Sequence, residues 1–409
     1  MIRCRILAAA ALIACGGSGD STPPREPTSI ERVAGDAQQG AAGMALPLAA
    51  AVRVLDQADA PFAGAEVRFT IAAGDGATLD TLLLTDATGR ASTTWFLGPD
   101  ASLSQRLWGT LVGASGSESV VEFSAEAARP SNGESYLGRN GYIEYLPGAL
   151  PIILSAPHGG TLEPDEIADR TGGTTVRDAN TEDLARVVAD VFEERTGARP
   201  HLILCLLRRT KLDANREVVE AAAGDAEAER AWFEYHSSID AARAAVRAEH
   251  GGGLYLDLHG HGHEIQRVEV GYLLSSSDLA LPDATIDQPA FISKSSVRAI
   301  AEANPGEPFS ALVRGPGSFG ALLAGAGYRS VPSADDPHPD GAPYFSGGYS
   351  TARHGSSDGG PVSGLQLELN MTGVRDTEEN RRRFAEALVE VVLAYVEERL
   401  GLELLAARP

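Results

Sequence analysis

Short runs of apolar and β-branched residues, interrupted by turn residues, dominate the first third of the chain. Turn formers such as Gly74-Asp75-Gly76 and Thr88-Gly89 separate some of these runs. Runs of this length, with turns at short intervals, are typical of antiparallel strands. The pattern predicts an all-β sandwich over residues 28–127. Its strands are predicted at residues 49–55, 65–71, 91–97, 106–112 and 119–124.

The pattern changes after a linker at residues 128–135, which is rich in Pro, Ser, Asn and Gly. Strand-like apolar runs now alternate with longer runs of helical periodicity. This alternation predicts an α/β domain over residues 136–402, with a sheet flanked by helices. In open sheets of this kind ligands bind beyond the carboxyl ends of the strands. The strands are predicted at 151–156, 201–207, 252–258 and 364–369, and the helices at 180–196, 221–250 and 377–400.

Length, charge and histidine content add three limits. The 409 residues exceed what one hydrophobic core usually fills, which agrees with two folded parts. The 34 Lys and Arg against 56 Asp and Glu give a net charge of −22, which disfavours nucleic-acid binding. All nine histidines lie from His158 onward, so histidine chemistry is confined to the second part.

The N-terminus has the pattern of an export signal. A basic start precedes a short apolar run that ends in Leu12-Ile13-Ala14-Cys15, and this run is too short to span a bilayer. Its end resembles a bacterial lipobox, so residues 1–15 are predicted to be a lipoprotein signal peptide with Cys15 as the lipidation site. An ordinary signal peptide with an incidental cysteine is the alternative. Residues 16–27 favour a flexible tether, and the expected location is the cell envelope.

Two histidine motifs follow predicted strands. SAPHGGTLEP, residues 155–164, has His158 at the strand end, two glycines, and Glu163, which can place an imidazole and a carboxylate on one metal ion. For this motif taken alone, a histidine in a turn capped by its own backbone is an equal alternative. LYLDLHGHGH, residues 254–263, alternates so that Asp257 and His259 share a face, where Asp257 can orient the imidazole. Histidines interleaved with glycine favour a metal site over a solvated loop, with His259 as the ligand. Two histidines are expected at the rim of the site: His261 and His263.

The other two strand ends carry charged side chains. In GLQLELN, residues 364–370, leucines take one face and Glu368 lies on the other. A carboxylate on a covered face is costly unless it is paired or catalytic, so Glu368 is the candidate general base and a salt-bridged structural glutamate is the alternative. RRTKLDANR, residues 208–216, forms a positive site suited to a carboxylate. For Arg208 and Lys211, a salt bridge on the protein surface is the alternative. Cys205 is expected to be a buried strand thiol.

Six segments stand in a fixed order along the second domain: SAPHGGTLEP, RDANTEDLA, RTKLDANR, LYLDLHGHGH, PYFSGGYSTARHG and GLQLELN. As a set they resemble the N-formylglutamate amidohydrolase family, which is related to poly-gamma-glutamate hydrolases and zinc carboxypeptidases. The resemblance covers roughly residues 136 to 400 and implies a zinc-carboxypeptidase-like mixed sheet with flanking helices. Two segments of the first domain, VRVLDQADAPFAGAEVRFTI and TDATGRASTTWFLGP, resemble Ig-like repeats of bacterial surface proteins, which implies a spacer.

The amidohydrolase resemblance implies zinc held by His158, Glu163 and His259, with Glu368 as the catalytic carboxylate. In zinc carboxypeptidases the acid follows the first histidine by three residues, whereas Glu163 follows His158 by five. The third ligand therefore has two alternatives, Glu166 and Asp178.

Three further residues match the family's substrate-contacting positions. Asn215 and Arg216 look like its clamp for a substrate carboxylate, and Arg209 would aid the oxyanion. The implied reaction is zinc-dependent hydrolysis of an amide in a small N-acyl or gamma-glutamyl amino acid or peptide that carries an acidic group. A lipid anchor would supply the only contact with the membrane.

Two other functions compete with the amidohydrolase interpretation. A serine hydrolase is disfavoured, because GPGSFG at residues 315–320 has proline where a nucleophile elbow needs its first glycine. A surface-binding or adhesion lipoprotein, with a catalytically altered hydrolase-like domain, is the alternative from another class. Metal analysis would discriminate, because such a relic need not bind zinc stoichiometrically.

Overall fold

The computed structural model describes residues 24–114 and 119–404. The predicted signal peptide with Cys15, and most of the predicted tether, lie outside the described residues. Within the described ranges, no helix combines the length and the apolar character that crossing a membrane requires.

The described residues of the N-terminal part form strands in two main sheets that share one apolar core. One sheet has the order β1-β3-β7 and the other β2-β10-β9-β4-β6, with a small β5-β8 pair beside them. In β4, Val67 and Phe69 are buried while Glu66 and Arg68 are exposed, so strict alternation supplies this core from one sheet. The strands are β1 (Pro27–Ala34), β2 (Gln38–Ala41), β3 (Ala50–Asp56), β4 (Glu66–Ala73), β5 (Ala77–Thr78), β6 (Leu82–Leu84), β7 (Arg90–Thr93), β8 (Trp95–Phe96), β9 (Gln105–Leu111) and β10 (Val120–Ala128).

The rest of the chain folds around a mixed eight-stranded sheet of order β11-β12-β14-β13-β15-β18-β16-β17. The four central strands, β14, β13, β15 and β18, are mutually parallel, while β12 and β16 run antiparallel to their inner neighbours. The strands are β11 (Tyr136–Leu137), β12 (Ile143–Leu146), β13 (Ile152–Ala156), β14 (His201–Cys205), β15 (Gly253–Gly260), β16 (Val268–Gly271), β17 (Ser330–Val331) and β18 (Val362–Leu369).

Helices cover both faces of this sheet. Leu256 and Leu367 pack in the core that contains residues of α1 and α11, whereas Tyr255 and Ile153 pack in the core that contains residues of α3. The helices are α1 (Thr181–Thr196), α2 (Val218–Ala222), α3 (Ala226–His250), α4 (Ser276–Leu279), α5 (Asp283–Ile286), α6 (Pro289–Lys294), α7 (Arg298–Ala303), α8 (Phe309–Arg314), α9 (Phe319–Gly325), α10 (Tyr349–His354) and α11 (Glu378–Leu400).

The predicted α/β class is confirmed at the level of a large mixed sheet with helices on both faces. The four predicted strands of this part are β13, β14, β15 and β18, and the three predicted helices coincide with α1, α3 and α11 within a few residues. The short elements between β15 and β18 were not predicted. Helices of four to seven residues, interrupted by proline and glycine, give no periodic signal. Cys205 is a free, buried thiol in β14, as expected.

Candidate metal centre

The ends of the four central parallel strands bring the candidate residues together. His158 follows β13 by two residues, and Asp213 lies in the loop between β14 and α2. His259 and Glu368 lie near the ends of β15 and β18, where they are direct neighbours in the ladder. Because parallel strands end at the same edge of a sheet, residues far apart in sequence meet there.

Two glycines allow the chain to turn sharply after His158. A Cβ atom on Gly159 would lie 2.4 Å from the backbone nitrogen of Glu182, and one on Gly160 would lie 2.2 Å from the carbonyl carbon of Leu206. Neither position has room for a side chain, so glycine is required on steric grounds. The close approach holds His158 against the start of α1 and the end of β14.

Three buried side chains converge at this edge: His158, Asp178 and His259. Oδ2 of Asp178 lies 3.3 Å from Nδ1 of His158 and 3.3 Å from Nδ1 of His259. The two imidazole rings meet edge to face, with centroids 4.8 Å apart. The backbone N–H of Gly260 also donates to Oδ2 of Asp178, at 3.1 Å. One carboxylate oxygen therefore faces a nitrogen of each ring.

The far nitrogen of each ring is bonded to a second buried aspartate. Nε2 of His158 lies 2.6 Å from Oδ1 of Asp213, and Nε2 of His259 lies 2.9 Å from Oδ2 of Asp257. A carboxylate at Nε2 favours the tautomer with the proton on that nitrogen. Both Nδ1 lone pairs are then directed at the space beside Asp178. The predicted role of Asp257 in orienting His259 agrees with this contact.

The charges of the cluster favour a cation. Burial opposes the charged imidazolium, yet the carboxylates of Asp257 and Asp178 raise the pKa of His259 well above its ordinary value. Burial also disfavours the charged form of Asp178, but His158 and His259 hold the pKa of that carboxyl below its usual range. Several acids thus surround two imidazoles, and a positive charge between them lowers the energy of the arrangement.

Two of the three separations between the ligand atoms match those around a tetrahedral metal ion. Bonds of about 2.0 to 2.2 Å at tetrahedral angles place neighbouring ligand atoms about 3.4 Å apart. The two separations of 3.3 Å between Asp178 and the histidines match this edge length. Two imidazole nitrogens and one carboxylate oxygen are also a donor set that zinc accepts. The residues present therefore fit a zinc-like ion.

The structure does not bring Glu163 to the histidines. Its carboxylate forms an ion pair with Arg208 at 3.0 Å, and 48% of its side chain is exposed. Glu166, one alternative, bonds instead to the hydroxyl of Tyr142. Asp178, the other alternative, completes the group, because its backbone N–H donates to the carbonyl of His158 and fixes the RDANTEDLA segment over the turn.

Glu368 is buried beside the cluster and lies opposite His259 in the parallel ladder. Its Oε1 accepts a hydrogen bond of 2.9 Å from Nε2 of Gln366. Burial raises the pKa of Glu368 to about 7. Among the described residues no Lys, Arg or His lies within ion-pair distance of its carboxylate, so the salt-bridged alternative finds no partner. An unpaired buried carboxyl with this pKa suits proton transfer near neutral pH.

The residues of the basic segment take separate positions. The guanidinium of Arg209 contacts Asp213 at 3.0 Å and Asp178 at 3.4 Å, so both aspartates compensate its charge. Nδ2 of Asn215 lies 3.3 Å from Nε2 of His259, and its Oδ1 accepts a hydrogen bond from the backbone N–H of Ser350 at 2.7 Å.

The other cations of the basic segment are paired with acids outside the cluster. Arg216 is 40% exposed and pairs with Glu220 on the next turn. Arg208 and Lys211 form ion pairs with acids on the surface.

A second group of possible ligands, His261, His263 and Glu269, lies nearby. Nε2 of His261 lies 2.8 Å from the carbonyl of Arg267, and its Nδ1 accepts the backbone N–H of His263 at 3.1 Å. Both nitrogens of His261 are therefore occupied. Nδ1 of His263 bonds to Glu269 at 2.9 Å. Both histidines were expected at the rim of the site, and the half-buried His263 agrees with this expectation. His261 is buried instead, because the loop that carries it folds back on Arg267.

Asp213 and Arg177 lie in the quoted motifs, but sequence reasoning gave neither of them a role. Asp213 is buried and bonds to His158, and its signal was an acid in the segment that follows the predicted strand 201–207. Arg177 precedes Asp178, and its NH1 donates to the carbonyl of Gly159 at 3.3 Å. No carboxylate among the described residues pairs with Arg177, which leaves its guanidinium available beside the cluster.

Comparisons with known proteins leave the assignment to the geometry of the site. No protein-family model matches the chain, and no curated protein matches it. The chain is similar to a solved structure described as a "putative metallopeptidase" from Shewanella amazonensis, with 13% identity over 63% of this chain and 81% of that chain. The TM-score of 0.28 is too low to establish a shared fold or activity.

Proposed function

We propose that this protein is a zinc-dependent amidohydrolase whose metal is held by His158, Asp178 and His259. The observation that carries the proposal is the shared orientation of the two rings. Both direct Nδ1 toward one oxygen of Asp178, and both are held from behind by buried aspartates. A zinc ion bound there would supply Lewis acidity, which polarises a carbonyl and makes a water molecule more acidic.

Glu368 is the proposed proton carrier. Gln366 occupies Oε1 of Glu368, which leaves Oε2 to take a proton from the attacking water. The proton then passes to the leaving amine, as general acid–base catalysis of amide hydrolysis requires. The pKa of about 7 suits both halves of this transfer, because the group gains and loses a proton with similar ease near neutral pH.

The substrate class follows from the cations that remain available at the site. Arg209 is neutralised by Asp178 and Asp213, so we assign it to holding these acids, although the family resemblance gave it an oxyanion role. Arg177 has no carboxylate partner among the described residues, and the ion pair of Arg216 with Glu220 is exposed and can open. Either guanidinium would bind a substrate carboxylate with two parallel hydrogen bonds. The proposed substrates are N-acyl or gamma-glutamyl amino acids or peptides with an acidic group.

We also propose that the enzyme is an exported, lipid-anchored protein of the bacterial cell envelope. The lipobox-like sequence that ends at Cys15 supports an anchor, and residues 16–27 would form the tether. The two-sheet part, residues 28–127, would be an Ig-like spacer that contributes no histidine to the chemistry. Residues 136–402 would form the zinc-carboxypeptidase-like domain, with residues 128–135 as the linker.

The test is hydrolysis by protein that has been stripped with chelator and reloaded with zinc. N-acyl-glutamates, gamma-glutamyl oligomers and muropeptides are the substrates, each compared with a neutral analogue. We expect cleavage of acidic amides that disappears with chelator and returns with zinc. Arg177→Ala should raise the KM for acidic substrates while leaving the neutral analogues unchanged, with Arg208→Ala as the matched control. Stoichiometric zinc without any hydrolysis would favour a binding lipoprotein instead.

A further inference from the structure

Arg375 is a buried arginine in the π-helical turn Met371–Arg375, which joins β18 to α11. Only 3% of the residue is exposed. Within the described ranges, no carboxylate lies at ion-pair distance from its guanidinium. A buried guanidinium without an ion pair is costly, and such groups are retained where they have a task.

All of the side-chain bonds of Arg375 end on backbone carbonyls. Nε donates to the carbonyl of Leu369 at 3.0 Å, NH2 donates to that of His261 at 3.3 Å, and NH1 donates to that of Ala179. The three acceptors belong to three different segments. Each lies one or two residues from a residue of the candidate site: Glu368, His259 and Asp178.

The backbone around Arg375 strengthens the same connections. Its carbonyl accepts a hydrogen bond from Nδ2 of Asn180 at 2.8 Å, which ties the segment of Asp178 to the turn a second time. A Cβ atom on Gly260 would lie 2.3 Å from Cζ of Arg375. The guanidinium therefore lies flat against the backbone between His259 and His261, where only glycine leaves room for it.

We propose that Arg375 is a positioning residue that sets the relative placement of Asp178, His259 and Glu368. One rigid, planar cation joins the ends of β15 and β18 to the loop before α1, and its positive charge attracts the carboxylates of Asp178 and Glu368. This inference rests on the proposed function, because it treats those three residues as the working parts of the site.

The test compares Arg375→Lys with Arg399→Lys on the whole chain. Arg399 is also buried and also donates to a backbone carbonyl, that of Gly317, but it lies in α11 away from the site. A lysine keeps the charge but cannot reach three carbonyls in one plane. We expect Arg375→Lys to weaken zinc binding at least about tenfold and to change the visible spectrum of the cobalt-loaded protein. Arg399→Lys should lower the Tm and leave both metal readouts unchanged.

An unchanged zinc affinity and cobalt spectrum in Arg375→Lys would overturn the proposal, whatever happens to its Tm. If this variant does not fold, Gly260→Ala displaces the guanidinium while retaining it, and the same losses are expected. A third readout needs no metal. The ring nitrogen signals of His259 in the metal-free protein should shift in Arg375→Lys and not in Arg399→Lys. If wild-type protein binds no metal, the proposed function fails, and these signals still decide whether Arg375 positions the ring.

Discussion

Two groups of histidine and acidic residues lie near the end of β15, and they differ in the atoms to which their ring nitrogens are bonded. In the first group, His158 and His259 bond aspartates through Nε2 and direct Nδ1 toward Asp178. In the second group, backbone atoms occupy both nitrogens of His261. The two groups therefore share residue types and short distances, but only the first directs two ring nitrogens at one carboxylate oxygen.

This difference shows what a cluster of ligand residues needs before it binds a metal. A neutral imidazole has one donor nitrogen and one acceptor nitrogen, and a metal uses the acceptor. Asp213 and Asp257 bond to Nε2 of the two rings in the first group, so that Nδ1 of each ring faces Asp178 and is bonded to no backbone group. In the second group, the N–H of His263 takes the acceptor of His261. The hydrogen bonds of the second group therefore stabilise the loop itself and leave His261 no nitrogen for a metal ion.

The largest expected effect on zinc affinity is the loss of zinc binding in His158→Ala. Removing one of three protein ligands should weaken binding by at least about 100-fold, because ligand bonds supply most of the binding free energy. Titration against a chromophoric chelator measures the change. His263→Ala is the control and should bind zinc like the wild type. An equal loss of zinc affinity in both variants would contradict the proposed difference between the two groups.

Glu368→Gln should leave zinc binding intact while turnover falls by about 10² to 10⁴. Glutamine keeps the size and the contact with Gln366 but cannot carry a proton. Zinc content and hydrolysis of the best substrate are measured on the same sample. A nearly normal rate with full zinc content would remove Glu368 from the role of proton carrier.

His201 offers a third histidine environment, because its Nδ1 accepts bonds from Gly148 at 3.3 Å and faces the hydroxyl of Tyr145 at 3.0 Å. Burial lowers its pKa to about 4, below the ordinary value of 6.5. Between these values the unfolded chain binds more protons, so stability present above pH 6.5 is lost as the pH falls toward 4. The loss is about 3 kcal/mol at most.

Urea unfolding in chelator at several pH values measures this loss in the wild type and in His201→Gln. The variant lacks the titrating ring and should lose less free energy of unfolding over the same pH range. An identical pH dependence in the two proteins would show that His201 is not buried in its neutral form.

Asp257→Asn should have the smallest effect, a roughly tenfold loss of zinc affinity. The amide oxygen can still accept a hydrogen bond from Nε2–H of His259, but without its charge it no longer makes the ring more basic. Glu269→Gln changes the corresponding acid of the second group and should leave the affinity unchanged. A larger loss in Glu269→Gln than in Asp257→Asn would reverse the assignment of the two groups.

The sequence predicted those parts of the fold that have long, regular patterns. The alternation around Asp257 and Glu368 correctly placed leucines in the core and polar side chains on the other face. Strand β16 and the short helices between it and β18 were missed, because four to seven residues do not define a period.

The sequence predicted the site residues at strand ends better than those in loops. His158, His259 and Glu368 lie at strand ends, so the topology alone brings them together. The third acid depends on how two loops fold, and spacing favoured Glu163, which the structure pairs with Arg208. The tautomer of His261 depends on a carbonyl six residues away, which no residue pattern encodes.

The candidate site draws on strands and loops from residue 158 to residue 375, so it has an order of assembly as well as a geometry. No short stretch of the chain contains the ligands in binding position, and β13 and β15 must pair before the imidazoles face Asp178. Contacts so distant in sequence form late in folding. We therefore expect zinc to bind only after these strands have paired. A zinc-sensitive dye followed during refolding would then report when the pairing occurs.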